Sequence, residues 1–228
     1  MLAPRPLALL DVAASVPPGD DWLRMPERAI CARFTRAARR AEWRLGRWTA
    51  KRAVAACLGL PGAELAEVEI RADADGAPTA FIGDAPASVS ISLSHRAGAA
   101  LCAALPGSGP IGCDVELVEP RSPEFVEDYL TEAERVLVAR AVPALRPRLT
   151  ALVWSAKESA LKTLRTGLRA DTREVEVSLG SAPPRGGWWP LAVRVAGRRR
   201  AFGGWWRPHR AHVLCVVAEA PIGPPRLL

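Results

Sequence analysis

The sequence predicts an α+β fold made of two similar α/β halves (a pseudo-dimer), each a small antiparallel sheet packed on a long helix. Three short segments recur in the same order along the chain: Trp48–Lys51 and Trp154–Lys157, Glu67–Ile70 and Glu174–Val177, His95–Ala97 and His209–Ala211. Their offsets are 106, 107 and 114 residues. Recurrence nearly in register indicates two related units. A proline- and glycine-rich segment at 106–110 separates a first half, 1–106, from a second half, 107–228.

The first half is expected to begin with a strand near Leu7–Val12 and a short helix near Pro26–Phe34. Its clearest element is a helix over Arg39–Leu58, where apolar residues recur at helical spacing beside an arc of basic side chains. Strands are predicted at Val89–Leu93 and Ala99–Leu105, because these segments alternate in polarity or are apolar throughout.

The second half opens with a predicted strand over Ile111–Leu117. Thr131–Glu134 is a capping box, the pattern with which a helix begins. After two prolines a longer helix is expected to carry Trp154–Lys162 and to end at Gly167-Leu168. Further strands are predicted near 174–179, 188–195, 199–206 and 211–218, and the proline-rich tail from Pro221 is expected to be frayed.

The composition favours a cytoplasmic protein with an acidic partner or a polyphosphate ligand, and a two-halves protein of this size is expected to act as a monomer. The chain has 228 residues, a net charge of +7 and five cysteines without a Cys-x-x-Cys pair. An odd number of cysteines at such spacings argues for reduced thiols, and against a disulfide framework or a zinc site. No apolar run is long enough to span a membrane. The positive charge suits polyphosphates and acidic surfaces.

The Trp154–Lys162 helix has one polar and one apolar side at about 100° per residue. The polar side is expected to hold Trp154, Lys157, Glu158, Leu161, Lys162 and Arg165. A carboxylate between two ammonium groups can hold a metal-bound polyphosphate. The alternative is a solvated face, on which Glu158 and Lys162 form an i,i+4 pair worth about 0.2–0.5 kcal/mol.

Two carboxylates lie close together on the Ile111–Leu117 strand. Because side chains alternate along a strand, Asp114 and Glu116 should point to one face, with Cys113 and Val115 on the other. Adjacent carboxylates repel each other unless a positive group lies between them, and a hard cation is the usual solution. An exposed strand face without a ligand is the alternative.

These two motifs carry a resemblance to a known family. A Gly-x-Asp-x-Glu strand followed about forty residues later by Trp-x-x-Lys-Glu-x-x-x-Lys resembles the 4′-phosphopantetheinyl transferases of the type that activates surfactin synthetase. The Ser92–His95 segment and the Arg39–Leu58 helix are similar to further parts of the family. Ala77 stands where the family has a lysine, so one expected phosphate contact is missing.

The resemblance implies a fold, a reaction and a set of site residues. Coenzyme A is the substrate, bound in the crevice between two halves of the 4′-phosphopantetheinyl transferase fold. One Mg²⁺ is expected to be held by Asp114, Glu116 and Glu158. The residues expected to bind the phosphates of coenzyme A are Arg39, Arg47, Ser94, His95, Lys157 and Lys162.

The implied chemistry is the attack of a carrier-protein serine on the β-phosphate of coenzyme A, with release of 3′,5′-ADP. The base that takes the serine proton is left open between Glu158, which is preferred, Glu116 and a metal-bound water. Acyl, peptidyl and aryl carrier domains are acidic around their serine, so a basic enzyme should bind them electrostatically.

Two other function classes remain open from the sequence. The region 185–210 interleaves arginines with tryptophans, and no acidic residue lies between Glu176 and Glu219. Such a pattern can indicate a nucleic-acid-binding module. It is also typical of strands whose arginines point outward while the tryptophans pack between the halves. The second class is another Mg²⁺-dependent phosphoryl transferase or hydrolase acting on a nucleotide.

Overall fold

A computed structural model of the chain describes residues 3–60, 65–166, 171–199 and 201–228. Within these ranges the helices are α1 (Met25–Ala32), α2 (Ala37–Leu58), α3 (Pro123–Tyr129), α4 (Glu132–Arg140) and α5 (Arg146–Thr163). The strands of the first 120 residues are β1 (Leu7–Val12), β2 (Val68–Ala72), β3 (Pro78–Ile82), β4 (Ala85–Pro86), β5 (Val89–Arg96), β6 (Ala99–Pro106) and β7 (Ile111–Leu117). The later strands are β8 (Val175–Leu179), β9 (Trp189–Val195), β10 (Phe202–His209), β11 (His212–Ala218) and β12 (Arg226–Leu227). The predicted helix end at Gly167-Leu168 lies outside the described residues.

The strands form two larger sheets and one small sheet. The first sheet has the order β12-β1-β6-β5, the second has the order β7-β11-β10-β9-β8, and β2-β3-β4 is the small sheet. The ladders are antiparallel except that of β12, which pairs in parallel with β1 through Leu7 opposite Arg226. The expectation of a frayed tail is therefore wrong, because the last residues extend the edge of the first sheet.

Each long helix covers one of the larger sheets. Ala50 and Val54 of α2 are buried in a core with residues of the first and small sheets. Leu152 and Leu161 of α5 are buried in a core with residues of β8 to β11. A third core lies between the two larger sheets, where β1, β6, β7 and β11 contribute side chains around the fully buried Trp188. The mixed α+β architecture agrees with the prediction.

The same kind of buried ion pair occurs on both long helices. Lys51 Nζ of α2 lies 2.5 Å from Glu27 Oε2, and Lys157 Nζ of α5 lies 2.7 Å from Glu134 Oε2. Each glutamate also accepts a hydrogen bond from a strand N–H that lies 43 residues further along the chain: Ile70 for Glu27, and Val177 for Glu134. The recurring sequence segments thus correspond to recurring contacts.

The β5–β6 and β10–β11 hairpins correspond to each other, but with a shift of one residue from the alignment of His95 with His209. The β5–β6 turn is closed by Arg96 opposite Ala99, and the β10–β11 turn by His209 opposite His212. Arg96, rather than His95, is therefore the structural counterpart of His209. The offset between these hairpins is 113 residues, closer to the other two offsets.

Two helices differ from the predicted ones. No helix was predicted at Pro123–Tyr129, where Ser122 caps α3 by accepting a hydrogen bond from the Phe125 N–H. Helix α5 begins at Arg146, well before Trp154, with a proline in its first turn. Proline is tolerated there because the first N–H groups of a helix have no partner within the helix.

The cysteines are not joined in disulfides. All five cysteines are free. Burial raises the pKa of the Cys113 thiol to about 11, so this side chain is neutral next to the carboxylates of β7. No helix in the described ranges has the length and apolar character needed to cross a membrane.

Candidate active site

Helix α5 lies directly against β7, and Gly112 makes this close approach possible. A Cβ atom at position 112 would lie 1.9 Å from the Ser159 carbonyl oxygen and 2.7 Å from Thr163 Oγ1. Cys113 and Val115 point into the core between the sheets. The predicted alternation is therefore confirmed, and the carboxylates of β7 point towards α5.

Asp114 is the centre of the site. Its Oδ1 accepts hydrogen bonds from Ser94 Oγ at 2.7 Å and from Lys162 Nζ at 2.8 Å. Its Oδ2 is buried and has no hydrogen-bond partner among the described residues. Burial alone would lower the pKa of Lys162, but Asp114, Cys113 and Glu158 together outweigh burial and raise it. A permanent positive charge therefore lies beside a carboxylate with one oxygen free.

Glu116 is held by donors at both oxygens. Oε1 accepts from Trp154 Nε1 at 3.2 Å, and Oε2 accepts from Arg121 Nη2 at 2.7 Å. Arg96 Nε lies 3.7 Å from the same Oε2. Burial and the neighbouring Asp114 raise the pKa of Glu116 to about 7, against the opposing effects of Arg121 and Arg96. Its carboxyl group is thus fixed in place and electrostatically coupled to Asp114.

Glu158 is the third carboxylate and is less constrained. Its Oε1 is buried without a hydrogen-bond partner among the described residues. Burial and the charge of Asp114 raise the pKa of Glu158, while Lys162 opposes them. Both Glu116 and Glu158 therefore interact with Asp114, although they come from elements far apart in sequence.

The donor chemistry of this group fits a hard divalent cation. The open atoms are Asp114 Oδ2 and Glu158 Oε1, and carboxylate oxygens are the ligands that Mg²⁺ prefers. In the described part of the chain, no three His, Cys, Asp or Glu side chains already converge as a metal site. Glu116 would have to exchange Arg121 or Trp154 for the ion. Two of the three predicted ligands thus have an open oxygen as they stand.

The structure corrects the predicted role of Lys157. Its side chain is 0% exposed, and its Nζ lies 2.7 Å from Glu134 Oε2 and donates to the Thr172 carbonyl at 2.7 Å. Burial lowers the pKa of Lys157, while Glu134 opposes this effect. An enclosed ammonium with these partners is not available to a phosphate. Leu161, also expected on the polar side, is fully buried in the core.

The basic residues of the first half divide into two groups. His95 is exposed, and the charged groups that act on it include Lys162, Arg39, Asp114 and Glu42. Its pKa is lowered, mainly by partial desolvation and with contributions from the two cations. His95 and Arg39 therefore lie on the side of the first half that faces the carboxylates.

Arg47 has a different environment from Arg39. Its guanidinium lies 4.9 Å from the Trp43 ring, and its Nε lies 3.9 Å from Glu27 Oε1. Burial lowers the pKa of Arg47, although Glu27 opposes this effect. Of the two arginines predicted to bind the cofactor, Arg39 alone is grouped with His95 among the described contacts.

A cleft of about 820 Å³ opens next to Lys162. Both halves line it: 75–79 and 87–93 from the first, 107–108, 110–111 and 162–165 from the second. Ala77, where the resembled family has a lysine, is one of the lining residues. Across the cleft, Arg165 lies 2.5 Å from Asp73 and 2.7 Å from Asp75. The hydrogen bond from Arg165 lowers the pKa of Asp75 to about 2, so an ion pair lines this end of the cleft.

Several residues of the site were not predicted from the sequence. Arg121 and Arg96 both contact Glu119 as well as Glu116, so the carboxylates and guanidiniums alternate. Ser94 was predicted to bind the cofactor, and its hydroxyl donates a hydrogen bond to Asp114, a contact that was not predicted. A basic residue shortly after the Asp-x-Glu strand was the available signal for Arg121.

Of the tryptophans in the region 185–210, Trp188 is fully buried, and Trp189, Trp205 and Trp206 are partly buried. Trp188 is fully buried between the sheets, Trp189 and Trp206 stack with centroids 5.2 Å apart, and Trp205 Nε1 donates to the Ile222 carbonyl. Nucleic-acid-binding proteins that use aromatic residues present exposed ring faces to the bases. The contacts favour the reading in which these tryptophans pack within the sheet and between the halves.

Part of the chain is similar to a known protein family. Residues 110–187 match the model of the 4′-phosphopantetheinyl transferase superfamily. The matched segment contains Asp114, Glu116, Glu158 and Lys162, and it confirms the resemblance at the level of the superfamily. No curated protein matches the chain. Among solved structures, the holo-[acyl-carrier-protein] synthase of Thermotoga maritima aligns at 22% identity and a TM-score of 0.35, over 54% of this chain and 80% of that one.

Proposed function

We propose that this chain transfers the 4′-phosphopantetheine moiety of coenzyme A to a serine of an acyl, peptidyl or aryl carrier protein. The observation that carries the proposal is the electrostatic interaction of Glu116 and Glu158 with Asp114, whose carboxylate also pairs with Lys162. This grouping lies inside the segment that matches the superfamily. The narrower type, which activates surfactin synthetase, is part of the same proposal.

Coenzyme A would occupy the cleft between the halves, with its pyrophosphate next to Lys162. Three features support this placement: the cleft is lined by both halves, Lys162 is part of its wall, and Asp114 lies 2.8 Å from that lysine. His95 and Arg39 would add positive charge for the remaining phosphate. Arg47 would contact coenzyme A further from the pyrophosphate, since its described contacts are with Glu27 and Trp43 of the first half.

A divalent cation would be held by Asp114 and Glu158 through their open oxygens, with Glu116 as third ligand once it leaves Arg121 or Trp154. When bound, the ion supplies positive charge that offsets the charge of the pyrophosphate in the transition state. The remaining contribution of the protein is positioning and charge stabilisation, as in other phosphoryl transfers.

In the reaction, the serine Oγ of the carrier forms a bond to the β-phosphorus, and the bond from that phosphorus to the bridging oxygen breaks. The products are holo-carrier and 3′,5′-ADP. Glu158 takes the serine proton through its other carboxylate oxygen, Oε2, which leaves the open Oε1 for the cation; Glu116 is the alternative acceptor. Lys162 stabilises the negative charge that develops on the leaving group.

The two halves, 1–106 and 107–228, would be a duplicated unit acting together as a monomer. The recurring Lys51–Glu27 and Lys157–Glu134 pairs support the duplication, as do the two hairpins at an offset of 113 residues. The shared core between the sheets supports a single functional unit. The proposed cleft is then the groove between the two repeats.

The direct test is incubation of the protein with coenzyme A, Mg²⁺ and a panel of apo carrier domains, read by intact mass. The expected result is the addition of one phosphopantetheine to at least one carrier, with none on a carrier whose serine is replaced by alanine. A second measurement separates this function from activity on other nucleotides. Coenzyme A should raise the midpoint of thermal unfolding, whereas ATP at the same concentration should not.

A further inference from the structure

We infer that Lys157 is a positioning residue for the proposed transfer, because its buried ion pair fixes the turn of α5 that carries Glu158 and Lys162. The inference rests on the proposed function. It assigns to the first lysine of the Trp-x-x-Lys-Glu motif a role other than phosphate binding.

The Lys157–Glu134 pair connects α5 to three other segments. Lys157 Nζ contacts Glu134 Oε2 and the Thr172 carbonyl, both at 2.7 Å. Glu134 Oε1 accepts from the Val177 N–H of β8 at 2.8 Å, and Oε2 accepts from the Thr131 N–H at 2.8 Å. The lysine is 0% and the glutamate 2% exposed, so neither group can exchange its partner for water. This turn of α5 is thus fastened to α4, to β8 and to the segment before β8.

Helix geometry transmits this restraint to the site. Successive side chains diverge by about 100°, so Lys157 points to the back of α5 while its neighbour Glu158 points to the carboxylates. Trp154, Glu158 and Lys162 are spaced by four residues and share one side of the helix, where they contact Glu116 or interact with Asp114. Fixing the back of the turn therefore sets the rotation of all three side chains.

Small displacements of Glu158 and Lys162 are expected to lower the rate of transfer, so the restraint that the Lys157–Glu134 pair puts on α5 affects function. A group about 6 Å from the helix axis moves by about 1 Å when the helix turns by about 10°. A misplacement of about 1 Å can lower a rate by about 100-fold. Because Lys162 and Glu158 act through position and charge, a looser turn is expected to lower kcat.

The first half supplies a matched control in Lys51. Its ammonium is fully buried, lies 2.5 Å from Glu27 and donates to the Trp22 and Leu65 carbonyls. The following residue is Arg52, which pairs with Asp11. Lys51 and Lys157 thus have the same kind of environment, but only Lys157 is followed by a residue of the candidate active site.

The test compares two double variants, Glu134→Gln/Lys157→Met and Glu27→Gln/Lys51→Met. Removing both charges avoids leaving one charge buried alone, which is the usual reason for the loss of folding in single variants. We expect kcat to fall at least tenfold in the second-half variant, with the KM for coenzyme A within threefold of the wild type. The first-half variant should keep kcat within twofold. Hydrogen exchange of the 154–162 segment should increase in the second-half variant alone.

Three results would overturn the inference. A tenfold rise in the KM for coenzyme A with unchanged kcat would make Lys157 a direct ligand. Equal losses of kcat in both variants would show that the Lys157–Glu134 pair contributes only to overall stability. An unchanged kcat in both variants would show that the pair has no role in turnover. Failure of the proposed function is distinguishable, because it would appear as a wild-type protein that modifies no carrier.

Discussion

The Cα of Gly112 and the Ser159 carbonyl oxygen are so close that a Cβ on residue 112 would lie 1.9 Å from that oxygen. This contact sets the distance between β7 and α5, the two elements that carry the candidate active site. It also brings Asp114, two residues along the strand, within 2.8 Å of Lys162, three residues along the helix. The glycine of the Gly-x-Asp-x-Glu motif therefore has a packing role that determines the geometry of the carboxylates.

We expect Gly112→Ala to destabilise the protein and to lower turnover. The added methyl group must push β7 and α5 apart, and overpacking of this kind typically costs about 1–3 kcal/mol. Denaturant unfolding and steady-state kinetics measure the two effects. Gly203→Ala in β10 is the control, since nothing lies within 4 Å of its added Cβ. Equal stability of the two variants would contradict the close packing described for Gly112.

The second prediction is that Glu158→Gln retains the fold and loses turnover by about 100-fold or more, the range expected for a lost proton acceptor. Glutamine has the same shape, and its neutral amide removes both causes of the raised pKa of Glu158, the burial of a charge and the repulsion with Asp114. The thermal midpoint should therefore be unchanged or slightly higher. Glu176→Gln, an exposed change on β8, should leave both quantities unaltered. Normal turnover in Glu158→Gln would remove this residue from both of its proposed roles.

The third prediction concerns removal of the divalent cation. Treatment with EDTA should abolish transfer by the wild type, and added Mg²⁺ should restore it. Asp114→Asn keeps an oxygen for Ser94 and Lys162 but loses the open carboxylate oxygen, so Mg²⁺ should not restore its activity. Binding of Mn²⁺, followed by electron paramagnetic resonance, should weaken in the same variant. Full activity of the wild type in EDTA would exclude the metal role of all three carboxylates.

The fourth prediction is that Arg39→Gln weakens the binding of coenzyme A by about threefold to tenfold. Arg39 is exposed and acts electrostatically on His95, so its contribution to a phosphate contact is partly screened by solvent. Titration calorimetry with coenzyme A measures the change. Arg33→Gln provides an exposed arginine at the end of α1 as the control. An equal effect of both substitutions would indicate general charge attraction rather than a contact of Arg39.

Much of the fold follows from local patterns, which is why the sequence predicts it well. The limits of β1 and β7 agree with the predicted ones, because apolar residues and alternation mark them clearly. The Thr131–Glu134 capping box also begins α4 as predicted. The alternation that puts Asp114 and Glu116 on one face needs no tertiary information.

The missed features depend on contacts between distant residues. Helical periodicity places Lys157 on a polar face, and its burial follows only from Glu134, which lies on another helix. The pairing of β12 with β1 joins the two ends of the chain, and the proline content of the tail gives no sign of it. Arg121 reaches Glu116 from the loop before α3, and Arg96 reaches it from the end of β5. Neither propensity nor periodicity contains such information.

The last prediction concerns recognition of the carrier protein. The net charge of +7 favours association with carrier domains that are acidic around their serine, and salt screens such attraction, with a Debye length of about 10 Å at 0.1 M and about 3 Å at 1 M. The KM for the carrier should therefore rise with salt concentration, while kcat at saturating carrier changes little. A carrier variant with its acidic residues neutralised is the control, and its KM should be higher and nearly independent of salt. A KM that is independent of salt for the natural carrier would contradict electrostatic docking and leave shape and apolar contacts as the source of recognition.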